Sequence, residues 1–94
     1  MRKIEYSSAF KKDFKRELKG KYQKNLDSRL QEVVSCLIKD QILAVNYQDH
    51  ELLGKWAGYR ECHLWPNLLL IYQKLGTNLL KLVRLGSHSE LFKS

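Results

Sequence analysis

Three histidines, His50, His63 and His88, are the side chains of this chain best suited to move protons near neutral pH. One of them has a carboxylate two positions before it, in the run Tyr59-Arg60-Glu61-Cys62-His63-Leu64-Trp65. In an extended segment successive side chains alternate between faces. Tyr59, Glu61, His63 and Trp65 therefore share one face, and Gly58, Arg60, Cys62 and Leu64 share the other. The first set places a carboxylate and an imidazole together between aromatic rings and suits solvent and substrate. Cys62 and Leu64 suit packing beneath helices, and Arg60 falls on their side unless it lies at the strand's edge. RNA cleavage needs a base for the ribose 2′-OH, an acid for the leaving 5′-oxygen and cations near the phosphate. A His/Glu set with Arg and Lys supplies all three. Each residue alone also has a plainer reading: a surface histidine, a same-face ion pair, aromatic sheet cover, a solvated basic helix.

The surrounding composition fits an anionic partner. There are 17 Lys and Arg against 10 Asp and Glu, a formal net charge of +7 over 94 residues. Such an excess suits nucleic acid, an acidic protein or a membrane surface, and nucleic acid best accounts for it. No apolar run follows Arg2 and Lys3, so no secretory signal is read there, and the longest apolar run, Leu68 to Tyr72, is far too short to span a bilayer. Cys36 and Cys62 form no metal-ligand or redox motif and read as reduced thiols of a cytoplasmic protein. Cys62 and His63 point to opposite faces of one strand and cannot share an ion. With no CxxC or HExxH spacing either, no metal site is expected. GxSxG and phosphate-cradling glycine loops are absent too.

The elements that must position these groups follow from periodicity. Ile4 and Tyr6 alternate with Lys3 and Glu5, a short strand. Ser7 or Ser8 can cap a helix carrying Phe10, Phe14 and Leu18 on one face, ended by Gly20. A second helix from about residue 23 or 25 to Lys39 carries a wider stripe through Leu26, Leu30, Val33, Val34, Leu37 and Ile38. Residues 40–58 read as a long connection. Strands then follow over Tyr59–Trp65, Leu68–Gln73 and Leu79–Leu85, separated by Pro66-Asn67 and Gly76-Thr77-Asn78, and short turns make them an antiparallel meander. The middle strand, apolar almost throughout, should be central with both faces covered. The order β-α-α-loop-β-β-β is an α+β fold in a single domain, 1–94. Two apolar helices cover one sheet face, leaving the other open for function.

Four collinear segments carry a family resemblance. Tyr47 to Trp56 (YQDHELLGKW) resembles the DHxLxGxW segment of YafQ-type toxins of the RelE/ParE superfamily. Tyr59 to Asn67 resembles the family's YR[DE]xHxxPD, Leu69 to Tyr72 its LLxY strand, and Arg84 to Phe92 (RLGSHSELF) its RxGxHxxLF. The resemblance implies a RelE-like fold, with two N-terminal helices on one face of a mainly antiparallel twisted sheet. It implies a metal-independent messenger-RNA interferase without cofactor, acting mainly on translating ribosomes. Attack by the 2′-OH would leave a 2′,3′-cyclic or 3′-phosphate and a 5′-OH. The implied catalytic set is His50, Glu61, His63, Arg84 and His88; Lys55, Tyr59, Arg60, Asn67 and Phe92 are the implied RNA contacts. His88 is the candidate general acid, Glu61 or His63 the candidate base with His50 assisting, and Arg84 the stabiliser of phosphorane charge. An acidic antitoxin would neutralise the toxin, with DNA bound only through the antitoxin. Asn67 stands where the family usually has Asp, so a base or charge partner is lost there. Two other functions compete: a non-catalytic gyrase poison of the same superfamily, and a basic RNA- or ribosome-binding module.

Overall fold

The fold begins with a strand that needs a neighbour. The computed structural model describes residues 1–92. Strand β1 (Lys3–Tyr6) runs parallel to β5 (Leu79–Gly86) and forms one edge of a five-stranded sheet ordered β1-β5-β4-β3-β2. Ser7 ends β1 in extended backbone, and its hydroxyl accepts from the Phe10 amide at 2.9 Å to cap α1 (Ser8–Leu18). Helix α2 (Leu26–Ile38) buries Leu26, Leu30, Val33, Val34 and Leu37. Its apolar stripe carries most of the helical share of the core, as its width predicts.

Strands β3 (Arg60–Trp65), β4 (Leu68–Leu75) and β5 form the expected antiparallel meander, with β4 in the middle and buried on both faces. Cys62, Leu64, Leu68, Leu70, Tyr72, Leu80, Leu82 and Leu85 face Phe10 and the stripe of α2 in the main core. Burying these side chains is worth roughly 1.5–3 kcal/mol each and drives the fold.

Three features depart from the expected plan. The connection 40–58 is not structureless: His50–Glu51 form a short strand, β2, antiparallel to β3. A register shift between His63 and Trp65 turns Trp65 out of its alternation, so it packs on the helix side instead of beside Glu61 and His63. There Trp65 stacks on Tyr22 at 4.5 Å. Lastly, the sheet face opposite the helices is not wholly open. Leu69, Ile71 and Leu91 form a second, smaller core there with Leu52, Trp56, Tyr59, Val83 and Phe92. Leu91 comes from a third helix, α3 (His88–Leu91), one turn long.

Candidate active site

The site is built on β3 and its two-residue neighbour. Glu61 pairs in register with His50, and both point to the face opposite α1 and α2. Glu61 is only 5% exposed, a buried carboxylate. Its Oε1 lies 3.3 Å from His63 Nε2 and 3.9 Å from His50 Nε2. The imidazole rings stand 6.4 Å apart with the carboxylate between them. A charge buried without a partner is expensive, and the two imidazoles are the polar groups that face the Glu61 carboxylate on its own side of the sheet.

His50 is held from behind. Gln48 adopts left-handed backbone, φ 50°, which aims its carbonyl at His50 Nδ1, 2.7 Å away. A carbonyl only accepts, so Nδ1 carries a proton and Nε2, nearer Glu61, is the nitrogen free to exchange one. Asp49, between them, is clamped by the Tyr72 hydroxyl and by Arg60 Nη2 at 3.0 Å. Burial first, and then the Asp49 hydrogen bond, raise the Tyr72 hydroxyl above its ordinary value, keeping it a donor. The Asp49 hydrogen bond likewise makes the Arg60 guanidinium hold its proton more firmly than usual. Arg60 thus sits on the helix side at the start of β3, spent on Asp49 and Tyr72 and apart from the Glu61 face.

Across the sheet, Glu61 pairs with Ile71 and Ile71 with Arg84, so His50, Glu61, Ile71 and Arg84 form one row over four strands. Strict alternation would turn Arg84 into the main core beside Leu80 and Leu82. The bulge at Val83 re-aims it, returning Leu85 to the core and Arg84 to the site face. From there Arg84 reaches the sheet edge and meets Asp13 of α1, 3% exposed. Asp13 accepts from Arg84 Nε at 2.7 Å, Arg84 Nη2 at 3.1 Å, Arg16 Nη1 at 2.9 Å and the Leu85 amide at 2.9 Å. Burial opposes ionisation of Asp13, but the Arg84 hydrogen bond, the Leu85 amide and the two guanidinium charges outweigh it and hold its carboxyl below the usual 3.8. With β1 stopping at Leu82, α1 finishes the edge of β5 by side chains: Ser7 Oγ donates to the Val83 carbonyl and Arg16 Nη2 to that of Leu85.

His88 opens α3 just beyond that edge. Ser87 and Glu90 form a reciprocal capping box that sets the turn. Gly86 leaves room for it: a Cβ there would lie 2.8 Å from Arg16 Nη2 and 3.2 Å from Leu91 Cδ2. The His88 ring is exposed and lies 4.8 Å from that of Phe92. Phe92 meets Trp56 edge-on at 6.0 Å, and Trp56 meets Tyr59 at 5.3 Å, so aromatic contacts run from α3 back to β3.

Of the residues singled out from the sequence, His50, Glu61 and His63 come together. Arg84 lies on the same row two strands away, and His88 approaches from the far side without an ion pair to that trio. Tyr59 and Phe92 flank the face but are engaged with Trp56. Lys55 is exposed in the 54–56 turn, and Asn67 is exposed in the β3–β4 turn. Sequence reasoning missed Asp13, Asp49, Tyr72 and Trp56. Among the described residues no group of three or more His, Cys, Asp or Glu stands arranged to hold a metal ion. No helix of the described residues is long and apolar enough to cross a membrane.

Comparison with known proteins gives one consistent result. A family model described as the bacterial toxin of a type II toxin–antitoxin system, YafQ, matches residues 2–93. The mRNA interferase toxin YafQ of Escherichia coli is 41% identical over 92 residues, 97% of this chain and 96% of that protein. Among solved structures, a metal-bound toxin from Helicobacter pylori is 47% identical with a TM-score of 0.81, covering 98% of this chain and 100% of its own. The Escherichia coli DinJ–YafQ complex gives a TM-score of 0.82 at 39% identity, covering 98% and 99%.

Proposed function

The chain belongs to the YafQ family of bacterial type II toxin–antitoxin toxins, and on that footing we propose that it is an mRNA interferase whose proton transfers run through His50, Glu61 and His63. The observation that carries this reading is the buried Glu61 carboxylate between two imidazole Nε2 atoms, 3.3 and 3.9 Å away. The trio takes the proton from the ribose 2′-OH as the O2′–P bond forms. His50 suits the first acceptance, because its Nδ1 is committed to the Gln48 carbonyl and its Nε2 is free. Glu61, buried beside the ring, then offsets the imidazolium charge.

His88 protonates O5′ as the P–O5′ bond breaks. His63 pairs with Leu69 and Leu69 with Gly86, so the end of β5, two residues before His88, lies two strand spacings from His63, about 10 Å at ~4.8 Å each. A gap of that order admits one phosphodiester with its attacking and leaving oxygens on opposite sides. Arg84 supplies positive charge to the phosphate with the guanidinium N–H groups that Asp13 leaves free. Lys55, Phe92 and Asn67 border the face and contact the RNA chain. Translating ribosomes present the substrate, and an acidic antitoxin offsets the +7 charge. The DinJ complex of the Escherichia coli relative supports that partner class.

The test is cleavage of labelled messenger RNA, with and without translating ribosomes, in EDTA, beside Glu61→Gln and His88→Ala. The expected result is a 2′,3′-cyclic or 3′-phosphate product in EDTA, with each variant slowed by ~10²–10⁴. Wild-type rates in both variants would remove the assignment. Cleavage abolished by EDTA would point to metal chemistry instead.

A further inference from the structure

Strand β2 pairs only with Arg60 and Glu61, so no strand covers the outer edge of β3 beyond Glu61. A cleft of about 300 Å³ lies there, bounded by Arg29 of α2, Asn46 and Gln48 of the turn before β2, and His63, Trp65 and Pro66. His63 belongs at once to this cleft and to the Glu61 trio. Whatever occupies the cleft therefore lies beside that trio.

We propose that this cleft is a nucleobase subsite in which the Asn46 and Gln48 carboxamides select the base beside the scissile linkage. The inference rests on the ribonuclease reading and adds to it a specificity site. Trp65 cannot supply the contact by stacking. Tyr22 lies parallel to its ring at 4.5 Å and the Arg29 guanidinium lies over it at 4.7 Å, and two partners that close cannot share a face. Arg29 is further committed to the Leu64 carbonyl at 2.9 Å. The two carboxamides remain: both residues are exposed, and neither side chain hydrogen-bonds within the described residues. A carboxamide presents a donor and an acceptor side by side, the arrangement that reads base edges in pairs. Unpaired RNA bases are read in that way, on their Watson–Crick and Hoogsteen edges. The left-handed backbone of Gln48 serves two purposes, directing its carbonyl to His50 and leaving its side chain at the cleft. A base seated here is thereby tied to the proton-transfer trio.

The test uses uncleavable 2′-O-methyl RNA trinucleotides that differ only in the central base, titrated into the full chain by NMR. Asn46 and Gln48 side-chain amide resonances should shift with a base-dependent response. The tightest and weakest trinucleotides should differ about fivefold or more in Kd, the lower range for a paired base contact. Asn46→Ala, or Gln48→Gly, which keeps the left-handed backbone and its carbonyl, should bring that ratio towards one. Folding of each variant is checked by its amide spectrum. If neither amide shifts, or all four bases act alike, the subsite is overturned even where RNA is cut. Base-dependent shifts in a protein that cuts no RNA would uphold the subsite and overturn the cleavage mechanism.

Discussion

Removing Asp13 should unsettle the fold and the site together. Its carboxylate is 3% exposed and accepts four hydrogen bonds, three from guanidinium groups and one from the Leu85 amide. In Asp13→Ala the buried Leu85 amide loses its acceptor, at a cost of about 1–3 kcal/mol. The guanidinium side chains of Arg84 and Arg16 are 28% and 41% exposed, so water replaces part of what they lose. Each charge-assisted bond is worth ~1.5–3 kcal/mol when fully shielded, and a discounted share of these brings the sum to about 3–4 kcal/mol. For a domain this size that lowers Tm by about 12–30 °C. Asp13→Asn keeps the shape and one acceptor and should lose about half as much. Urea unfolding followed by circular dichroism measures both. The pH dependence has a definite sign. Asp13 is held below the usual 3.8, so its contribution is fully present above that pH and fades as pH falls through the depressed folded value. The gap between wild type and Asp13→Asn should therefore be widest near neutrality and close in acid. A loss under about 0.5 kcal/mol for Asp13→Ala, or a gap to Asp13→Asn that does not change with pH, would refute this account.

Two further substitutions probe the supports of the site. Tyr72→Phe deletes the buried donor to Asp49; it should cost about 1.5–3 kcal/mol of stability in urea unfolding. It should also lower kcat more than it raises KM, since His50 stays present but loses its anchor. Gly86→Ala places a methyl 2.8 Å from Arg16 Nη2 and 3.2 Å from Leu91 Cδ2. Pushing Arg16 off the Leu85 carbonyl and shifting Leu91 of α3 to fit it should cost ~1–3 kcal/mol. Cleavage should fall with stability held above threshold, seen as a slower single-turnover rate for messenger RNA in the folded variant.

The helices, the meander and the central place of β4 were legible because each rests on many residues in one period. The Glu61–His63 face was legible for the same reason, as two positions in a strand share a side. What escaped depends on single-residue breaks in that rule. The shift after His63 removes Trp65 from the site face, and the bulge at Val83 turns onto it Arg84, which only the family resemblance had named, yet neither leaves a mark in hydrophobic pattern. Strand β2 spans two residues, too few to show a period. Asp13 looks like one more charge on a basic helix until the edge of β5 is seen to need an acceptor there.

That edge explains how a small chain holds a polar site without a large core. Each candidate group is held by a segment distant in sequence: His50 by Gln48 and, through Asp49, by Tyr72 of β4; Arg84 by Asp13 of α1. The second core, which includes Leu91 and Phe92, then anchors α3, and the His88 ring lies 4.8 Å from that of Phe92. Such supports keep rotamers in place at little cost in buried area, which suits a domain whose surface is large for its volume. They also leave the site dependent on a few polar contacts. Loss of Asp13 or Tyr72 is thus expected to lower catalysis more steeply than deletion of a comparable apolar side chain, such as Val33 in the main core, at equal loss of stability.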